Sequence, residues 1–377
     1  MSSSNIPPQH ILDAIRTWVE TESPTYHTAG VNAMMDLVEQ EVQGLPVVVE
    51  RLSGRDGLGD ILVLHAGPDN GEKAVLLMSH LDTVHPVGTL ETELPLRIEG
   101  DRLYGPGVFD MKASAYIALR AFKQVIFGGK LKRPLVFLFT PDEEIGSPTT
   151  RELIETVAQK ACCALITEPG REGGKVVTAR KGVGRFEVTI EGRASHSGTR
   201  PQDGISAIKE AARQILDIEA MTDFARGITT NVGMITGGSA VNVVPQYCQF
   251  TVDLRVVSSE DGDVFERKLL ALQSHDADVR VSVIGGMNRP PFERTEGVAK
   301  LFEIVREVGA ELGQTIGEMP RTGGGSDGNF TAALGVPTID GLGVDGEGAH
   351  TLQEYVELSS IEPRRLLLTR LLERLAC

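Results

Sequence analysis

Seven side chains that follow apolar runs or sit in a glycine-rich turn have the types needed to hold metal and move protons. His80 and Asp82 follow AVLLMS, Asp110 follows GPGVF, Glu143 and Glu144 follow LVFLFTPD, Glu168 follows CCALIT, and His350 lies in GEGAHTLQEYV. In open α/β sheets, ligands gather where strands end. Mixed imidazole and carboxylate donors suit Zn²⁺ or a similar first-row divalent ion. A two-ion site, with ions typically about 3.5–4 Å apart, needs a carboxylate shared between them. The charges can balance: two divalent cations are offset by Asp110, Glu144, Glu168 and one bridging hydroxide, with His80 and His350 neutral. Glu143 is then left over beside a ligand. A general base must come within about 2.6–3.2 Å of the proton it removes.

Each residue also has an ordinary reading. Asp110 could cap the helix that follows it. Asp142, Glu143 and Glu144 could be acids drawn to a helix N-terminus. Glu168, before Pro169, could sit in a solvated turn, and a single histidine is commonly structural or surface-exposed. Spacing alone leaves both sets of readings open, because convergence in space is not written in it.

The surrounding pattern says what would position these groups. HILDAIRTWVE and VNAMMDLVEQEV have helical apolar spacing, and VVVERL, DILVLHA, KAVLLMSH and RPLVFLFT read as strands. DMKASAYIALRAFKQVIF predicts a helix beginning at or after Asp110, and a second helix is expected over about 147–159, before the strand ACCALITE. Strands alternating with helices predict an α/β sheet with many parallel neighbours. Near Gly182 the pattern changes. GRFEVTIEG alternates apolar and polar, and the order strand, helix, strand, strand, helix, strand follows to about residue 288. That order matches the ferredoxin-like split motif. The α/β pattern resumes with EGVAKLFEIVREVGAELG, the strand VPTIDGL and the helix IEPRRLLLTRLLERL. The expected organisation is therefore a mixed-sheet domain over 1–183 and 291–377, with an α+β domain inserted over 184–290.

Composition narrows the partners. In 377 residues, 37 Lys and Arg face 52 Asp and Glu, a net charge of −15 that disfavours nucleic acid and anionic membrane surfaces. No run reaches the roughly 18 apolar residues of a membrane helix. MSSSNIPPQH lacks the features of a secretory signal. Cys162, Cys163, Cys248 and Cys377 form no Cys-x-x-Cys motif. Cys162 and Cys163 are strand neighbours, expected on opposite faces and so not bridged. A reduced, cytoplasmic setting is expected.

The segments SHLDTV (79–84), GPGVFDMKAS (105–114), TPDEEIGS (140–147), ITEPG (166–170), GRASHSG (192–198) and RTGGGSDGNF (321–330) resemble, in order and over nearly the whole chain, the co-catalytic zinc metallopeptidases. That family includes glutamate carboxypeptidases, aminoacylases, acetylornithine deacetylase and succinyl-diaminopimelate desuccinylase. The motifs look closest to the bacterial glutamate carboxypeptidase branch.

The resemblance implies an α/β zinc peptidase domain with an inserted ferredoxin-like lid and dimerisation domain. It implies two Zn²⁺ per subunit, with Co²⁺ or Mn²⁺ as substitutes. His80 and Glu168 would hold one ion, Glu144 and His350 the other, and Asp110 both. Asp82 would orient His80, and Glu143 would be the general acid/base. A cis peptide would follow Asp110. His196 would steady the oxyanion, from its own or a neighbouring subunit. Asn242, Arg255, Arg289, Lys181 and Gly324 would bind a small or short-peptide substrate with a free carboxylate. The implied reaction is hydrolysis of the amide bond of a C-terminal amino acid through a zinc-bridging hydroxide. An N-acyl amino acid deacylase is the alternative with the same bond chemistry, and a non-catalytic binding protein on the same scaffold is the remote one. A homodimer through the lid is expected.

Overall fold

A computed structural model describes residues 7–376; Cys377 and the first six residues of MSSSNIPPQH, expected to lack a secretory signal, lie outside them. The chain divides into two compact units. One comprises the chain up to Ala179, Arg294–Thr322 and the chain from Ser326; the other comprises Arg180–Glu293 and Gly323–Gly325.

The first unit is built on a six-stranded sheet ordered Val47–Leu52, Ile61–Ala66, Leu135–Thr140, Ala74–His80, Ala161–Ile166 and Thr338–Ile339. The first two strands run antiparallel, and the last four are parallel to one another. Parallel strands are covered on both faces, so they are written as continuous apolar runs. Every residue of Ala74–His80 and Leu135–Thr140 is buried. Helix Ala113–Phe127 is buried on nearly every face, which is why it reads as apolar without a polar stripe. Gln9–Glu20 is amphipathic: Ile11, Leu12, Ile15, Trp18 and Val19 face inward, and Trp18 meets Tyr116 edge-on at 5.3 Å.

Parallel strands end on the same side. His80 pairs with Thr140, and Met78 pairs with Ile166. The chain beyond each of these strands therefore emerges along one edge of the sheet, and that edge carries His80, Glu143, Glu144 and Glu168.

The second unit is a four-stranded antiparallel sheet ordered Thr229–Gly237, Tyr247–Val256, Gly182–Glu191 and Arg280–Arg289. Helices Ala207–Glu219 and Ser259–Leu270 complete the β-α-β-β-α-β order. Ser206 and Ser258 cap them, their hydroxyls accepting from Lys209 N and Asp261 N. Phe186, Val188, Ile190, Phe250, Val252 and Leu254 share a core with Ala211, Ile218, Phe265 and Leu269.

Local details depart from the sequence reading where the cause is non-local. The ladder beside Ala74–His80 slips at Cys162: Ala74 pairs with Ala161, but Val75 pairs with Cys163. This two-against-one bulge brings the Cys162 and Cys163 sulfurs to 3.9 Å instead of placing them on opposite faces. Both remain free thiols. The last helix starts at Leu358, ahead of IEPRR, and carries Pro363 inside it. Asp101, distant in sequence, receives Ser359 N at 3.0 Å and Leu358 N on its own carbonyl at 2.8 Å, and so holds that opening turn.

The second unit contains an acid-flanked histidine. His275 Nδ1 lies 2.9 Å from Glu210 Oε1, and its Nε2 lies 2.8 Å from Asp217 Oδ2. The Glu210 hydrogen bond, with Asp217 adding to it, raises His275 above its ordinary value near 6.5. A raised imidazole stabilises the fold below its unfolded value, and that contribution disappears as pH rises through the folded value. His275→Gln is therefore expected to lower the unfolding midpoint more at pH 6 than at pH 9, measured by thermal denaturation. An equal loss at both pH values would remove this interaction from the stability of the unit.

Candidate metal centre

His80 closes a buried strand and is itself 2% exposed. Its Nε2 lies 3.1 Å from Asp110 Oδ1 and 3.6 Å from Glu168 Oε1. Its Nδ1 faces the carbonyl of Asp82 at 2.9 Å, with the Asp82 carboxylate further off at 3.4 Å. A ring nitrogen facing a carbonyl must be the donor, so Nδ1 holds a proton, and Nε2 is the nitrogen left to face Asp110 and Glu168.

Asp110 lies in an irregular turn, Val108–Lys112, whose Asp110 and Met111 are non-helical; the peptide between them is cis. The two oxygens of Asp110 face different imidazoles: Oδ1 faces His80, and Oδ2 is 3.4 Å from His350 Nε2. His350 Nε2 is also 3.1 Å from Glu144 Oε2. His350 adopts a left-handed backbone (φ 64°), and the glycine at 348 turns the chain just before it.

Glu143 and Glu144 open a short 3₁₀ turn after strand Leu135–Thr140. Asp82, fully buried, grips that turn: Oδ1 accepts from Glu143 N at 3.1 Å, and Oδ2 accepts from Glu144 N at 3.2 Å and Thr25 Oγ1 at 2.7 Å. The resemblance implies that Asp82 orients His80; its Oδ1 lies 3.4 Å from His80 Nδ1, and the same carboxylate also bonds the turn that carries the two glutamates.

Potential ligand atoms of His80, Asp110 and Glu144 lie within 4.8 Å of one another, as do those of His80, Glu143 and Glu168. The donor set, imidazole nitrogens with carboxylate oxygens, fits a first-row divalent cation. An independent sign is Glu144 Oε1, which is buried without a hydrogen-bond partner. An ionised oxygen left so is costly unless a cation meets it.

The electrostatics express the same need for positive charge. Burial would raise Asp110, but its bonds to His350 and His80 hold it well below the usual carboxylate range. Burial and the charge of Asp110 push Glu144 up to about 8 and raise Glu168 well above its usual value. Hydrogen bonds to Asp110 and Glu144 lift His350 to about 11. Burial works against the charged form of His80, yet Asp110, Asp82 and nearby glutamates raise it well above 6.5.

The remaining candidate residues belong to the second unit. His196 pairs with Val243 in a two-residue ladder and is exposed. Its Nδ1 accepts from Gly198 N at 3.1 Å and Thr199 N at 3.2 Å. Amides can only donate, so the ring proton sits on Nε2, which is presented as a donor. Thr199 Oγ1 lies 2.8 Å from the same Nδ1. The Asn242 carbonyl accepts from Ser197 N at 3.0 Å, which ties it to the same turn. Arg255 is held through two 2.8 Å bonds by Asp253, two residues earlier on its strand, and also donates to Gly323 O at 3.3 Å. Arg180 donates to Gly324 O at 3.1 Å. Arg289 is buried under Gly325, where a Cβ would fall 2.6 Å from Arg289 Cδ. Lys181 precedes strand Gly182–Glu191, near the left-handed Gly227. Sequence reasoning missed Arg180, Asp253 and, in the first unit, the buried pair His85 and Glu354. Their pairing is set by tertiary contacts and leaves no local pattern.

Comparison with known proteins places this architecture. Residues 76–374 match the peptidase family M20/M25/M40, and the chain belongs to that family. It is 34% identical over 365 residues to carboxypeptidase G2 of Pseudomonas sp. (strain RS-16), covering 94% of this chain and 86% of that one. It is 28% identical over 358 residues to acetylornithine deacetylase of Myxococcus xanthus, covering 89% and 90%. The aminopeptidase PepT of Bacillus cereus shares the fold, with a TM-score of 0.75 at 22% identity, covering 98% of this chain and 99% of that one. The protein is a hydrolase of the metallopeptidase and amidohydrolase type, in a metal-dependent family.

Metal ligands must be deprotonated, so loading releases protons. The raised values of His350 and Glu144 place protons on this cluster at neutral pH. Zinc titrated into demetallated protein at pH 7 is expected to release protons, so the calorimetric enthalpy should depend on the ionisation enthalpy of the buffer. Identical enthalpies in phosphate and Tris would contradict this assignment of protons.

Proposed function

We propose that the protein hydrolyses the amide bond that joins a C-terminal amino acid to a peptide or N-acyl group, using two zinc ions held in the first unit. The observation that carries this reading is the Asp110 carboxylate, whose oxygens face His80 on one side and His350 on the other. Glu168 accompanies His80, and Glu144 accompanies His350. In the proposal His80 and Glu168 would hold one ion, Glu144 and His350 would hold the other, and Asp110 would serve both. Divalent ions in such a site polarise an amide carbonyl and lower the pKa of water to about 7.

The protein's own groups do the rest. Glu143, fixed at its amide by Asp82, accepts the proton of the attacking water and returns it to the leaving amine. His196, from its own or a neighbouring subunit, would offer its Nε2–H to the oxyanion; one well-placed donor contributes roughly 3–4 kcal/mol. Arg255, Arg289, Lys181, Asn242 and Gly324 are the proposed substrate contacts. The arginines around Gly323–Gly325 supply the positive charge that a free carboxylate needs.

Carboxypeptidase action is favoured by the 34% identity to carboxypeptidase G2. The second reading, an N-acyl amino acid deacylase, is favoured by the 28% identity to acetylornithine deacetylase over 89% of the chain. A homodimer and a cytoplasmic setting are part of the proposal. Met234 and Ile235, exposed on edge strand Thr229–Gly237, support the first. Among the described residues no helix is long and apolar enough to cross a membrane.

The test is a hydrolysis screen of zinc-loaded protein across dipeptides and N-acyl amino acids with varied C-terminal residues. Activity abolished by phenanthroline and restored by zinc is expected. Glu143→Gln should retain zinc and lose at least about 100-fold in kcat. A Glu143→Gln enzyme turning over at the wild-type rate would remove the base from the scheme.

A further inference from the structure

Glu354 is a carboxylate with 1% of its surface exposed, four residues beyond His350. It accepts four hydrogen bonds, and three come from amides within the one backbone segment 107–110. Oε1 receives Phe109 N at 2.9 Å and Asp110 N at 2.9 Å, and Oε2 receives Gly107 N at 3.0 Å. His85 Nε2, also buried, donates to Oε2 at 2.7 Å. The segment so held leads into the non-helical turn that carries Asp110, where regular helical acceptors are lacking. Gly107 has φ 69°, and a Cβ there would fall 2.3 Å from Thr83 Cγ2, so its amide can reach Oε2 only as glycine.

We propose that Glu354 is a positioning residue for the metal centre: by binding the amides of Gly107, Phe109 and Asp110 it sets where the Asp110 carboxylate points. This rests on the reading of Asp110 as the shared metal ligand. The reach of Asp110 toward both His80 and His350 leaves little slack, at 3.1 Å and 3.4 Å. A backbone shift of a few tenths of an ångström at Asp110 would lengthen one contact as it shortened the other. His85 meets Oε2 alone, whereas Phe109 N and Asp110 N bond to Oε1, so the histidine contact and the positioning of the backbone can be separated by mutation.

The experiment compares Glu354→Ala, Glu354→Gln and His85→Gln with wild type. Three quantities are read: zinc dissociation constants by chelator competition, the visible absorption spectrum of the cobalt(II)-substituted protein, and the thermal unfolding midpoint. Loss of a residue that orients a ligand typically weakens metal binding by about 10–100-fold, and that is expected for Glu354→Ala, with altered cobalt bands. Glu354→Gln should fall between it and wild type. Its remaining oxygen can still receive Phe109 and Asp110, while its amide group opposes the N–H of Gly107. His85→Gln should lower the unfolding midpoint yet keep wild-type zinc affinity and cobalt bands, because the three backbone bonds remain. If Glu354→Ala does not fold, Glu354→Gln carries the comparison.

Wild-type affinity and spectrum in the Glu354 variants would overturn the proposal. So would a His85→Gln protein that weakens metal binding as much as they do, since Glu354 would then be a structural ion-pair partner only. A wild-type protein that binds neither zinc nor cobalt would overturn the metal reading, and this inference with it. Metal-binding wild type with unaffected variants removes this inference alone.

Discussion

An ionised carboxylate taken out of water must be met by positive charge or by hydrogen-bond donors, and Asp110 is the position at which this demand is most concentrated. It is flanked by imidazoles on both oxygens and surrounded by Glu144 and Glu168, whose proton affinities its own charge raises. Acids packed this closely would repel one another in a bare protein interior. The arrangement makes physical sense as a cradle for cations. The parallel strands, in this view, deliver Glu144 and Glu168 to one edge, where the turn Val108–Lys112 brings Asp110 to meet them.

Precision in the first unit comes from buried acids that accept backbone amides. Asp82 binds the amides of Glu143 and Glu144. Asp142 receives Thr149 N and Thr149 Oγ1, both at 2.7 Å, and so fixes the loop that follows. Such acids are stabilised by donors that belong to the segments they position, so a change in one moves a ligand without touching it. The turn after strand Leu135–Thr140 shows the outcome: neighbouring glutamates, held through their amides, fall into different groupings around His80.

Much of this was legible in the sequence because it is written locally. Continuous apolar runs announced the buried strands at Ala74–His80 and Leu135–Thr140, and alternation after Gly182 announced the antiparallel sheet. Residue types after apolar runs mark His80, Asp110, Glu143, Glu144 and Glu168 as candidates, and a glycine-rich turn marks His350, but their convergence is not written in the spacing. Other features were not legible because their causes lie elsewhere in the chain. The strand expected in VPTIDGL shrinks to Thr338–Ile339, since only those residues find a partner at the sheet edge beside Ala164 and Leu165. The thiols of Cys162 and Cys163 come together through a slip against a different strand. Arg255 is engaged by Asp253, a pairing that alternation along a strand permits but does not dictate. Glu354 carries no motif of its own; only the folded path of Gly107–Asp110 gives it a task.

The central claim is the sharing of Asp110 between two cations. Anomalous diffraction from crystals of zinc-loaded protein, recorded on both sides of the zinc absorption edge, tests it most directly. The expected result is two peaks roughly 3.5–4 Å apart, one beside His80 and Glu168, the other beside Glu144 and His350, each in contact with one oxygen of Asp110. A single peak, or a pair that leaves Asp110 untouched, would contradict it.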